Sequence, residues 1–232
     1  MAHATTLRFS QLISFYHVLR IFQGGPQILG IFTARKASNK DAEFWDWIRQ
    51  NKPEPIVNRD DLHQFNTAAN ERLREIDEGL CLQVGVNEEK EIEIVISADG
   101  IRDLFPTVER VVSAAGPIPG CQPLAFRQRM EVSELTYDGD DFTADDFLIE
   151  AYQIDGVIGL NVHVAGLNPE NPGTEGNAAF IFLDCMLGEY DVATKIGPIE
   201  FYSLADDPAG RGLIPIQELP KVIDEISGQL LT

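Results

Sequence analysis

Apolar residues recur along this chain with two periods, and the changes of period mark out the elements. From Asn39, a residue suited to capping a helix, Asp41 and Glu43 occupy the first turn, where acids suit the positive helix end. Phe44, Trp47 and Ile48 then share a helical face while Trp45 points elsewhere, and Asn51-Lys52-Pro53-Glu54-Pro55 ends the segment. Leu62, Phe65, Ala69, Leu73 and Ile76 form one stripe, predicting a second helix over about 60–77. The period then falls to two. Leu80, Leu82, Val84 and Val86 alternate with Cys81, Gln83 and Gly85, and Ile92, Ile94 and Ile96 follow beyond a hairpin loop at 87–90. Pro106 fits the first turn of a helix lined by Val108, Val111, Val112 and Ala115. A third strand is predicted next, with Leu124, Phe126 and Met130 on one face and Arg127 and Arg129 on the other.

The second half repeats this order. Asp138-Gly139-Asp140-Asp141 reads as a turn, and Thr143 as the cap of one helical turn with Asp145 and Asp146. Residues 148–154 and 157–164 read as a hairpin about Asp155-Gly156. The densest apolar run, from Ala178, predicts a central helix that Gly188 stops, followed by a strand over 199–204 and a last helix near Pro220. Each half therefore reads strand, strand, helix, strand, over 80–130 and 148–204. The expected fold class is α+β, with helices on one face of antiparallel sheet and two similar β-β-α-β halves, 41–135 and 136–232. Residues 1–40 are set apart: they hold Arg8, Arg20, Arg35, Lys36 and Lys40 and no acid, and are expected to lie outside the fold as a basic extension.

Composition narrows the function classes. With 37 acids against 18 bases the net charge is −19, which opposes nucleic-acid and anionic-membrane binding, because neutralising phosphate needs clustered lysine and arginine. Such a surface suits a protein partner with a basic face. The apolar stretch 12–32 is interrupted by His17, Arg20, Gln23 and Gly24-Gly25-Pro26, which does not suit a membrane span. Cys81, Cys121 and Cys185 have neither zinc nor disulfide spacing and read as buried, reduced thiols, pointing to the cytoplasm.

Candidate chemistry is sparse. Asp184, Glu189 and Asp191 on and beyond the end of the central helix offer hard oxygen ligands for a divalent metal, although acids on the solvated side of a helix and turn are the favoured reading. His163 lies on the face of its strand opposite the apolar set and is a candidate base or contact, but no nucleophile motif accompanies it. Arg127 and Arg129 are candidates for an anion or a partner, or for cross-strand pairing with Glu91 and Glu93. Trp45 and Tyr190 are candidate aromatic contacts, with a core or lid role the favoured reading for Trp45. No glycine-rich phosphate loop is present, and no cofactor is expected.

The pieces FWDWIRQN (44–51), EIVISADGI (93–101) followed by FPTVERVVSAAGP, AFRQR (125–129) and LDCMLGEYDV (183–192) resemble a family of uncharacterised bacterial proteins over roughly 42–230. The resemblance implies no reaction, cofactor or catalytic residue. The expectation is a non-enzymatic binding or regulatory module for a protein partner, the alternative a divalent-metal-dependent hydrolase using the 184–191 carboxylates.

Overall fold

The computed structural model describes residues 5–7, 39–52, 59–167, 173–204 and 208–230. The chain divides into two compact units, one comprising Ser14–Arg127 and the other Met1–Ile13 with Gln128–Thr232. The expected seam at 135/136 lies inside a strand of the second unit.

In the first unit, α1 (Asn39–Asn51) and α2 (Arg59–Arg74) precede a hairpin of β2 (Cys81–Val86) and β3 (Ile92–Ser97). Helix α3 (Phe105–Ser113) then returns the chain to β4 (Cys121–Ala125), which pairs parallel with β3. The alternation read from sequence sets the faces. Ile92, Ile94 and Ile96 are fully buried, as are Val108 and Val111 of α3. On α1 the buried set is Asp41, Phe44, Trp45 and Ile48, the i, i+3, i+4, i+7 face of a helix. Of the expected set, Phe44 and Ile48 hold and Trp47 gives way to Trp45, whose indole N–H donates to the Val111 carbonyl oxygen at 2.6 Å. Asp41 is tolerated on this face because Arg110 pairs with it. Trp47 stands further out, stacked on Phe65 at 5.8 Å and beneath the Arg72 guanidinium.

The second unit opens with a small three-stranded sheet. Within the stretch expected outside the fold, β1 (Thr5–Leu7) runs parallel to β5 (Val132–Tyr137), which pairs with β6 (Asp140–Thr143). Residues 8–38 are outside the described residues. Asp138 and Gly139 both have positive φ, as a two-residue hairpin turn requires. Thr143 and Asp146 then form the expected cap, the Thr143 N–H donating to the Asp146 carboxylate at 2.7 Å. The main sheet follows: β7 (Phe147–Ile154) and β8 (Val157–Val164) form the expected hairpin, and α4 (Gly173–Leu187) and α5 (Glu189–Lys195) lead to β9 (Ile196–Ser203), parallel to β8. A two-residue β10 (Ile214–Pro215) borders β7, and α6 (Leu219–Leu230) packs on it. Helix α4 is buried almost all round because it meets β5, β8, α5 and α6.

The α+β class stands, and the two strand–strand–helix–strand runs match in topology. In each, the first pair is antiparallel and the second pair parallel across a helical crossover. Just past the last strand the same backbone bond recurs: the Phe126 N–H donates to Ile96 O at 2.8 Å, and the Leu204 N–H to Val164 O at 3.1 Å. The outer strands have a common feature as well. β4, β9 and β10 contain Pro123, Pro198 and Pro215, while the Asn70 side chain of α2 bonds both N–H and C=O of Leu82 in β2 at 2.8 Å.

Candidate functional site

The carboxylates of the central helix end are held by protein partners. Gly188, with φ +76, breaks the chain between α4 and α5, so Glu189 turns inward and is 1% exposed. Asp191 bonds to Arg129 and, at 2.9 Å, to Lys195. Arg129 also donates to both oxygens of Asp224 on α6 (2.7 and 2.8 Å) and to the Leu187 carbonyl oxygen at 3.2 Å. Its guanidinium therefore fastens the chain after β4 to α5 and α6, and holds the Asp224 carboxyl below the usual carboxylate range. Among the described residues no group of three His, Cys, Asp or Glu is placed to hold a metal ion. The expected ligand set of Asp184, Glu189 and Asp191 is accordingly not assembled as one, and Asp191 is bonded instead to two basic side chains.

Arg127 and Arg129 are not on one strand face. Phe126 adopts φ +65 and ends β4 at Ala125, so the two arginines diverge and fall in different units. Arg127, 9% exposed, donates to Asp99 Oδ1 at 2.7 Å and to Ser97 Oγ at 2.8 Å, in place of the expected pairing with Glu91 and Glu93. Burial, with the charge of Asp99 adding to it, pushes the neighbouring Cys81 thiol up to about 12, and burial takes Cys121 to about 11. Both stay protonated at neutral pH and are poor nucleophiles. Trp45, wholly buried, has no surface for a partner; Tyr190 is exposed.

His163 points away from the core as expected, yet it is only 4% exposed, because Tyr202 stacks over it with ring centroids 5.3 Å apart and planes 24° from parallel. Its Nδ1 faces the Ser203 carbonyl oxygen at 3.4 Å. Strand pairing extends this arrangement into a surface. One row across β7, β8 and β9 is Leu148, His163 and Tyr202; the next is Glu150, Asn161 and Glu200; the third begins with Tyr152 opposite Gly159. A Cβ on Gly159 would collide with the Tyr152 ring, so glycine lets that ring lie down across β8. The Asn161 amide donates to Glu150 Oε2 at 2.9 Å, and the Tyr202 hydroxyl donates to Glu200 Oε2. The bond to Glu200 is the main reason the Tyr202 phenol is held above its ordinary pKa. Glu150 and Glu200 are exposed, and neither pairs with a cationic side chain among the described residues.

Sequence reasoning missed Glu150, Tyr152, Glu200 and Tyr202. Their outward positions followed from the alternation of each strand, but nothing local announces that β9 lies beside β8, and only that pairing unites them. No protein-family model, no curated protein and no solved structure matches the chain. Among the described residues no helix is long and apolar enough to cross a membrane.

Proposed function

We propose that this chain is a non-enzymatic binding module, and that its partner is a protein with a basic surface engaged on the outer face of β7, β8 and β9. One observation carries the reading: Glu150 and Glu200 stand exposed on one sheet face, oriented by Asn161 and Tyr202 and unpaired with any cation of the described residues. Asp99 and Asp191 already have arginine partners and are poorer candidates. Tyr152 and Tyr202 beside the two glutamates supply the rigid aromatic area that protein contacts favour. The net charge of −19 would steer a cationic partner toward the chain. The hydrolase alternative has less support, since Asp191 is bonded to Arg129 and Lys195.

The test is affinity capture from a lysate of the source organism with the full chain, its Glu150→Gln/Glu200→Gln variant, and a Glu88→Gln/Glu89→Gln control of equal charge in the β2–β3 hairpin. Loss of a captured partner with the first variant but not the control is expected. Equal loss with both would mean that net charge alone attracts partners, and the localised surface would be abandoned.

A further inference from the structure

We infer that the group recognised on this face is the guanidinium of arginine in preference to the ammonium of lysine; the inference rests on the binding surface proposed above. The Tyr202 ring has His163 against one side, and its 39% exposure leaves the other side to solvent. At the ring's edge the hydroxyl is tied to Glu200, so ring and carboxylate are fixed relative to each other before any ligand arrives. A carboxylate has about four lone-pair sites, and Tyr202 takes one. A flat cation lying on the ring can therefore direct N–H groups into Glu200 at the same time. Guanidinium is planar, weakly hydrated and forked, and satisfies both contacts at once; an ammonium is a compact, strongly hydrated point charge that must favour one of them.

Glu150 offers a second station. Strands lie about 4.8 Å apart, so β7 and β9 put the backbones of Glu150 and Glu200 about 10 Å apart with Asn161 between them. Asn161 occupies Glu150 Oε2 and leaves Oε1 for a ligand. An extended segment with arginines at alternate positions sets their backbones about 6.6 Å apart at 3.3 Å per residue, and the length of the arginine side chains lets two neighbours splay to carboxylates about 10 Å apart.

The test uses calorimetric titration of the full chain, at low ionic strength, with two acetylated and amidated hexapeptides, one of alternating arginine and glycine and one of alternating lysine and glycine. The arginine peptide is expected to bind about two- to fivefold more tightly, the range an exposed cation–π contact supplies. Tyr202→Leu should abolish that preference with lysine binding retained, Tyr202→Phe should keep part of it, and Glu150→Gln/Glu200→Gln should weaken both peptides. Circular dichroism verifies that each variant is folded. Equal affinity of the two peptides for the wild type, or a preference that survives Tyr202→Leu, overturns arginine selectivity and leaves the acidic surface standing. Failure of both peptides to bind overturns the surface itself.

Discussion

The two strand–strand–helix–strand units are built alike on the inside and differently on the outside. If Ile96 is matched with Val164 through the shared backbone bond, Ile92 and Ile94 correspond to Leu160 and Val162, and every one of these residues is fully buried. On the opposite face the corresponding rows diverge. Gln83, Val95 and Leu124 in the first unit stand where Leu148, His163 and Tyr202 stand in the second; Gly85, Glu93 and Gln122 stand where Glu150, Asn161 and Glu200 do. Core packing specifies the inner rows closely, because side-chain volume is felt there to a methylene. The outer rows are less fully buried, His163 excepted, and only one of the two presents a fixed tyrosine–carboxylate pair. Topology is thus common to both units, and the chemistry proposed for binding belongs to one.

The largest test of the comparison is in the inner rows. Ile92→Ala and Leu160→Ala should each cost about 2–5 kcal/mol, measured by urea denaturation. If the units melt separately, each substitution should move its own transition alone; a single transition shifted equally by both would unite them thermodynamically. Next come the two arginines. Arg127→Ala leaves Asp99 without its buried partner and should cost about 3 kcal/mol. Arg129→Ala, at a more exposed network, should cost about 1 kcal/mol and less at high salt.

The Arg129 network also carries a pH dependence. Because the folded-state pKa of Asp224 is depressed, its contribution is present above the ordinary carboxylate pKa of about 4 and is lost as pH falls through the folded value. Acid titration of stability should therefore be shallower in the Arg129→Ala variant, and an unchanged acid limb would detach Asp224 from the network. The smallest effect belongs to the outer face. Glu150→Gln and Glu200→Gln should each change stability by less than about 0.5 kcal/mol, so that a loss of binding in these variants reports on recognition rather than on folding.

The two halves were legible in the sequence because period-two alternation and the Asp155-Gly156 turn are local signals. The β5–β6 hairpin was missed although its turn, Asp138-Gly139, was recognised: three acids between 138 and 141 obscured the short strands flanking it. Helix α5 was missed because Gly188 ends one helix and, at φ +76 and ψ 154, immediately starts another. Trp45 falls off the face that Phe44, Trp47 and Ile48 define in the sequence because Asp41, one turn before it, conceals the buried face that a pairing with Arg110 makes possible. The candidate surface depends on a parallel register between strands separated by two helices, a long-range pairing that no window of sequence contains.

The proline-bearing and asparagine-bound borders of the two sheets limit how anything can attach to them. A strand that lacks an N–H, or whose N–H and C=O are already taken by a side chain, is a poor template for another strand. Growth of these sheets into fibrils, and capture of an extended peptide by main-chain pairing at their rims, are both discouraged. A partner must then land broadside, on side chains. Because side chains change by point substitution and backbone amides do not, the specificity of such a surface can drift in evolution while the scaffold beneath it stays fixed.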